Sequence, residues 1–276
     1  MTPGSHLEDH ARLAYDALAP HYDAFTADHD YETWTRDVEA LARAAGLRGR
    51  RLLDVACGTG KSFVPFLRRG YEVVACDLSP AMLSVAEEKA AGRARLEVHD
   101  MRALPRLGDF DLVICLDDAV NYLLTVEELT SALRGMRSNL APGGVVVFDA
   151  NCLGTYRGFF ASLSVVASEQ RVIVWRGATS PALEPGGRAR ASVQVLLRTG
   201  GGAWIEDEQR HLQQHHPEPV IREAVGAAEL RLAGTYGMLV DGTIRDGFDE
   251  LANSKALYVA TARGQDHRPG TGTRGT

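Results

Sequence analysis

The chain has 276 residues, 45% of them hydrophobic, enough for one large domain or two small ones with a sizeable core. Its formal net charge of −6 gives no general attraction to phosphate backbones, which argues against a nucleic-acid substrate. No apolar run approaches the ~18 residues that span a membrane, and MTPGSHLEDH lacks the basic start and apolar stretch of a signal peptide. Cys57, Cys76, Cys115 and Cys152 each fall on or beside a predicted strand, with no C-x-x-C spacing. They read as buried free thiols, which places the protein in a reducing cytoplasm.

Residues 1–6 are expected to be loose. From Leu7 to Leu18 apolar positions recur at helical spacing and end before Pro20. The next stretch passes Tyr22, Phe25, Tyr31 and Trp34 into a second helix that Gly46 stops. Residues 1–46 thus form a helical cap, whose aromatics either pack on the core or close over a ligand. Leu52–Ala56 is the first predicted strand, and Lys61–Arg69 is a helix stopped by Gly70. Tyr71–Cys76 is the second strand, ending at Asp77. Ser79 as N-cap and Pro80 at the first helical position begin the next helix. Arg95–His99 is the third strand, before Asp100-Met101, and Phe110–Leu116 is the fourth, before Asp117-Asp118. Thr125 and Glu128 form a capping box for a helix to about Leu140. Pro142-Gly143-Gly144 then turns into a fifth strand, Val145–Asp149.

Repeated βα units with apolar strands predict a parallel sheet covered by helices on both faces, the core spanning residues 47–152. Ligands of such sheets bind beyond the carboxyl ends of the strands. Asp54, Asp77, Asp100, Asp117, Asp118 and Asp149 all fall at that edge, and six acids there mark a site. After Cys152 the pattern alternates over Val172–Trp175, Ala191–Leu197 and Ala203–Leu212. Residues 153–216 therefore read as an inserted antiparallel patch. A helix over about Val220–Leu230 and strands Arg231–Met238 and Lys255–Ala262 complete the sheet within residues 217–263. The Gly/Thr-rich tail, 264–276, is expected to be disordered.

The most informative stretch is LLDVACGTG, Leu52–Gly60: an apolar run ending in a carboxylate, then a turn of small residues. Gly58 and Gly60 tolerate backbone angles that other residues avoid, and the following helix supplies unpaired N–H groups. Three ligand classes use such a turn. A Walker A loop needs glycine where Val55 stands. A dinucleotide fingerprint needs a third small residue where the chain leads into Phe63. The pattern D-x-A-x-G-x-G fits at Asp54, Ala56, Gly58 and Gly60. With Asp77 at the next strand end, it resembles motif I of the class I S-adenosylmethionine (SAM) methyltransferases, of the small-molecule type in bacterial specialised metabolism. Ala56 stands where glycine is commoner, and Cys57 sits inside the turn; both are small.

The resemblance covers about residues 11–262 and implies a Rossmann-like, seven-stranded doubly wound sheet with SAM as cofactor. It gives Asp77 the ribose hydroxyls, against the plainer reading of a charge at a helix entrance. Asp100 and Met101 resemble the pair that holds adenine, and Leu116 would contribute backbone near the methionine part. Ala56, Cys57, Leu78 and Met82 complete the expected contacts of the turn. Tyr15-Asp16 and Tyr22-Asp23 match the Y-D-x-x-x-x-x-Y-D start of such enzymes, in which the second tyrosine and a later tryptophan reach the methionyl end. That implies Tyr22 and Trp34.

Asp117 and Asp118, followed by Asn121 and Tyr122, occupy the loop where relatives contact the acceptor; a solvated loop is the alternative. LDDAVNY lacks the prolines of the N/D-P-P-Y/F/W motif that holds a flipped base, so nucleobase methylation is not expected. Strand alternation puts His211 and His215 on one face, but a zinc site needs a third ligand that is not evident. The histidines instead line or edge a lid over the acceptor pocket, or are exposed, with His211 also a candidate proton acceptor; Tyr15 is a further catalytic candidate. Tyr156 and Arg157 are weighed as pocket residues.

The expected reaction is SN2 transfer of the SAM methyl group to a small molecule. An acidic pocket at Asp117 and Asp118 favours nitrogen or electron-rich carbon, as in an amine or indole, over oxygen. The alternatives are an O-methyltransferase, a silent SAM-binding protein and a nicotinamide-dependent oxidoreductase. The expected partners are a small-molecule acceptor and, in a homodimer, a second copy of the chain, without nucleic acid or membrane.

Overall fold

The computed structural model of the chain describes residues 5–264, with side chains from Ala11 onward. The looseness expected at residues 1–4 and the disordered tail beyond residue 264 lie outside the described residues. Two helices open the chain, α1 (Ser5–Phe25) and α2 (Tyr31–Ala44). Ser5 and His6, expected to be loose, are already helical. Helix α1 also runs through Pro20 rather than stopping before it. Proline removes one N–H and is costly inside a helix, so tertiary contacts must hold the last turn. Leu18 and Ala19 are buried on one side of Pro20, and Asp23 is bonded to the core on the other.

The core alternates β1 (Arg51–Val55), α3 (Val64–Arg68), β2 (Glu72–Asp77), α4 (Pro80–Ala90), β3 (Ala94–Val98), β4 (Phe110–Cys115), α5 (Val126–Ser138) and β5 (Leu140–Asn151). Helix α4 begins as expected: Ser79 Oγ accepts the Met82 N–H at 3.0 Å, with Pro80 at the first position. The capping box of α5 also forms. Thr125 Oγ1 accepts the Glu128 N–H at 3.2 Å, while the Glu128 carboxylate reaches one residue further back, to the Leu124 N–H at 2.6 Å. Helix α3 is shorter than Lys61–Arg69 because the turn extends to Phe63, whose ring is fully buried.

The strands β1 to β4 are parallel, and β5 joins β4 in the same sense. After α7 (Glu218–Ala227), β10 (Leu230–Met238) and β12 (Lys255–Ala262) add antiparallel to β5, with β11 (Ile244–Asp246) on the edge. The sheet order is β11-β10-β12-β5-β4-β1-β2-β3. Seven strands match the expected sheet; the three-residue β11 is an eighth, too short to carry a periodic signal. Both faces are covered. Leu53, Val55, Val113 and Phe148 pack toward α5 and α7, whereas Leu52, Val73, Ile114 and Val147 pack toward α2, α3 and α4. All four cysteines are buried and free.

Between β5 and α7, after the short helix α6 (Leu153–Arg157), lies a second, antiparallel sheet: β6 (Leu163–Ala167), β7 (Arg171–Gly177), β8 (Arg188–Arg198) and β9 (Trp204–Gln214), paired in that order. Three of these strands follow the sequence alternation. The fourth, β6, is an exposed edge strand whose residues do not alternate in burial, so no pattern announces it. The sheet lies over α1: Ile173, Trp175 and Val193 form one cluster with Leu18, against which Tyr22 and Phe25 also pack. Among the described residues, no helix is long and apolar enough to cross a membrane.

Candidate active site

The turn after β1 contains three left-handed residues, Ala56 (φ 58°), Gly58 (φ 53°) and Gly60 (φ 82°). That conformation folds the backbone back on itself and aims its N–H groups at the end of β2. The Cys76 carbonyl receives the N–H of Cys57, and Asp77 that of Gly58. Its Oδ2 accepts the Gly58 N–H at 2.8 Å and its Oδ1 the Ser79 N–H at 2.9 Å. Burial raises its pKa, partly countered by these backbone donors.

The two glycines are not equivalent. A Cβ on Gly58 would meet nothing within 4 Å, because that residue faces a cavity; a Cβ on Gly60 would lie 2.7 Å from the Phe63 ring. The cavity, of about 300 Å³, spans the carboxyl ends of the strands and the underside of the cap. Tyr15, Tyr22, Ala56, Cys57, Gly58, Asp77, Leu78, Met82, Asp100, Met101, Leu116 and Asp117 line it, as the sequence leads one to expect. Asp100 is held by Arg102 in a bidentate pair, with Nη2 2.6 Å from Oδ2. An adenine amine would share that carboxylate with the guanidinium.

Five predicted site residues stand behind the cavity wall instead. Gly60 serves the packing of Phe63 and Ala86. Asp54 is buried beneath the turn, where Oδ2 accepts the Ser62 hydroxyl at 2.5 Å and Oδ1 has no partner; burial pushes its pKa to about 8. Trp34 lies one helical turn beyond Tyr31 on α2, so Tyr31 lines the cavity in its place. The indole packs under Tyr31, with Lys255 Nζ 5.6 Å from its ring. Asp118 is turned inward, and His211 sits on β9 behind Tyr122. Tyr156 and Arg157 are also off the cavity: Tyr156 donates to Gln213 at 3.1 Å and Arg157 to the Leu183 carbonyl at 2.9 Å.

The cap is fixed to the core by the acids of its two Tyr-Asp pairs. The pairs recur after seven residues, nearly two helical turns, so like residues share a face. Asp16 accepts the Ser79 hydroxyl at 2.6 Å, and Asp23 accepts the Thr59 hydroxyl at 2.6 Å while pairing with Lys89. Lys61 reaches up to Thr26, with Nζ 2.6 Å from its carbonyl and 4.6 Å from the Tyr31 ring centroid. Tyr15 and Tyr22 are thereby presented to the cavity.

The acidic loop after β4 is not an open acidic pocket. Asp117 and Asp118 both have left-handed backbone, and their N–H groups bond to the Asp149 carboxylate at 2.8 and 2.6 Å. Lys255, the first residue of β12, places Nζ 2.6 Å from both Asp117 and Asp118. Gln213 takes the remaining oxygen of Asp118. Burial alone would raise Asp117, but the ammonium holds it below the usual carboxylate range. Burial and the neighbouring Asp117 keep Asp118 raised, and burial pushes Asp149 to about 6. Lys255 and Gln213 carry no sequence signal, because each needs the fold to reach a loop far away in the chain.

A second hydrogen-bonded chain leads away from the cavity. Tyr15 donates to the Tyr122 hydroxyl at 2.8 Å, and Tyr122 lies 2.9 Å from Nδ1 of His211. Burial lowers the His211 pKa to about 4, so the ring is neutral near pH 7. In the tautomer in which Nδ1 accepts from Tyr122, the ring proton is on Nε2, which has no hydrogen-bond partner. His215 and His216 are buried elsewhere, against Glu250 and the Leu123 carbonyl.

Residues 52–144 match the family model described as "Methyltransferase domain". The chain is 30% identical over 215 residues to a dTDP-3-amino-3,4,6-trideoxy-alpha-D-glucopyranose N,N-dimethyltransferase of Streptomyces venezuelae, covering 77% of this chain and 86% of that one. The chain belongs to the SAM-dependent methyltransferases. It is also 32% identical to a putative methyltransferase of Bacillus subtilis over 50% of its own length, and spans 56% of that relative. The SAM-bound amino pentose methyltransferase CalS10 of Micromonospora echinaspora superimposes with a TM-score of 0.66 at 28% identity, covering 87% of this chain and 96% of that one.

The residues present fit SAM. The open space beside Gly58 leaves room for a ligand against the turn backbone, and Asp77 lines the cavity with both carboxylate oxygens already oriented by N–H donors. The cavity volume lies at the lower end of the usual range for small-ligand sites. Asp77 would hold the ribose, Met101 and Leu78 would flank the base, and Tyr22, Tyr31 and Lys61 surround the end where the amino-acid part would lie.

Proposed function

We propose that this methyltransferase acts on a nitrogen atom of a small-molecule acceptor, with the cavity residues above holding SAM. When bound, SAM supplies a methyl group on an already activated sulfonium. The chain then has to align the acceptor, exclude water and provide a place for the acceptor's N–H. Alignment of this kind contributes up to ~7–11 kcal/mol.

The observation that carries the reading is the chain Tyr15–Tyr122–His211. In the tautomer with His211 Nδ1 unprotonated, every proton in it points toward the histidine, which leaves a Tyr15 lone pair for an N–H in the cavity. A histidine held at about 4 is a poor base for a hydroxyl. Even a phenol, near pKa ~10, lies about six units above it, a gap of roughly 8 kcal/mol. A neutral amine needs no such deprotonation before it attacks, and burial keeps Tyr15 and Tyr122 neutral. The N,N-dimethyltransferase relative supports nitrogen as well. The pocket favours an amine through neutral phenols and an uncharged ring, not through the acids after β4, whose charge Lys255 meets.

The test uses acceptor pairs that differ only in an amino or hydroxyl group, incubated with SAM and read by mass spectrometry for +CH₂ products. Methylation is expected on the amines, with His211→Gln lowering kcat and leaving SAM binding within about twofold. Preference for the hydroxyl partners would overturn the reading. SAM binding without turnover of any amine would instead favour a silent SAM-binding protein.

A further inference from the structure

The chain has three lysines. Two are ion-paired, Lys89 with Asp23 and Lys255 with Asp117 and Asp118. Lys61, among the described residues, has no carboxylate partner, although it lines the cavity. Its Nζ is 2.6 Å from the Thr26 carbonyl and 2.8 Å from the Thr26 hydroxyl, one residue past the end of α1, and 4.6 Å from the Tyr31 ring centroid. Asp23 and Asp117 act on it only at longer range, and Lys89 opposes them. Partial burial of a charge without a counter-ion is unfavourable, and here it lowers the Lys61 pKa. An ammonium carries three N–H donors. Thr26 takes two, which leaves one for a ligand.

A pole of the opposite kind stands across the same tyrosine. The hydroxyls of Tyr31 and Tyr22 donate to Oδ2 of Asp117, at 2.7 and 3.0 Å. The Lys255 ammonium keeps that carboxylate ionised, so it only accepts, and the two phenol oxygens are left with lone pairs to offer. A cation and a group of acceptors thus flank the Tyr31 ring, an arrangement that matches the carboxylate and the ammonium of an amino acid.

We propose that Lys61 binds the carboxylate of the cofactor's amino-acid part while keeping its hold on Thr26, so that the intact cofactor fastens the cap. This goes beyond the choice of acceptor atom and rests only on SAM being the ligand. A lysine without a counter-ion can swing its charge out to water on its flexible stem, which releases the end of α1. A carboxylate in the cavity holds the ammonium in place, and its bonds to Thr26 persist. Tyr15 and Tyr22 both stand on α1, so the tyrosines of the acceptor side and of the methionyl side are set together once that carboxylate is bound.

Calorimetry with SAM and decarboxylated SAM, which differ only in the carboxylate, tests the contact without any acceptor. SAM should bind more tightly to the parent chain. Lys61→Met should reduce the ratio of the two dissociation constants by about tenfold, the worth of a charge-assisted hydrogen bond, and Lys61→Arg, which keeps the charge, should retain the preference. A lysine that merely braced α1 would weaken both ligands alike. Amide exchange over residues 20–26 tests the fastening in the parent chain, where no substitution can spoil the fold. At saturation, SAM should slow that exchange several-fold more than decarboxylated SAM. An unchanged ratio, or equal protection by the two ligands, overturns the proposal. Binding of neither ligand would overturn the assignment of the cavity to SAM, whereas a wrong assignment of the methylated atom would leave both readouts untouched.

Discussion

Gly58 and Gly60 stand two positions apart in one turn, both with left-handed backbone, and they serve different ends. An alanine at Gly58 bears about 1 kcal/mol of backbone strain, and its methyl group projects into the cavity without touching protein. An alanine at Gly60 adds the same strain to a clash with the buried Phe63 ring, for which ~1–3 kcal/mol more is typical. Gly58→Ala should therefore weaken SAM binding by tenfold or more while lowering Tm by only a few degrees. Gly60→Ala should lower Tm more than Gly58→Ala, with affinity following stability. Calorimetric titration and melting of both variants would separate them; equal effects on binding and stability would refute the division. The motif in the sequence treats these positions alike. What distinguishes them is the neighbour of an absent Cβ, a property of the folded turn alone.

Among the elements, α1 shows most clearly what pattern reveals and what it conceals. The seven-residue recurrence of Tyr-Asp predicts a shared face, and Tyr15 and Tyr22 do line the cavity. The partners of Asp16 and Asp23 were not readable, because Ser79 and Thr59 lie on other elements. Nor was the passage of the helix through Pro20, which local propensity opposes. The hydroxyl bond and the Lys89 pair make Asp23 the fastening of the last turn of α1. Asp23→Ala should loosen that turn, seen as faster amide exchange over residues 20–26, and should weaken SAM binding several-fold through misplacement of Tyr22. The fold should survive, since the two faces of the main sheet do not depend on this contact. Unchanged exchange in α1 would show that packing on the antiparallel sheet suffices to hold it.

Across the whole molecule, the alternation of strand and helix and the gathering of acids at one sheet edge were legible, because both follow from short-range periodicity and chain direction. Which acids face the ligand was not. Asp77, Asp100 and Asp117 do, whereas Asp54, Asp118 and Asp149 lie behind them, and only packing decides this. That buried second rank has a consequence for stability. Asp54, near 8, and Asp149, near 6, are raised above their unfolded values, so what they contribute is complete below pH ~4 and is lost as pH rises through their folded pKa. His211, near 4, runs the other way: its contribution is present above pH ~6.5 and is lost as pH falls through 4. The two trends oppose each other below pH ~6.5. Between 6.5 and 8 Asp54 continues the decline, worth roughly 2 kcal/mol for a folded pKa near 8, with Asp77 and Asp118, also raised by burial, acting in the same direction. The chain should thus melt several degrees lower at pH 8 than at pH 6.5. Asp54→Asn, which can still accept the Ser62 hydroxyl, should remove most of that difference. Melting curves at the two pH values decide the matter: if the variant falls as steeply as the parent, Asp54 is not the group that titrates.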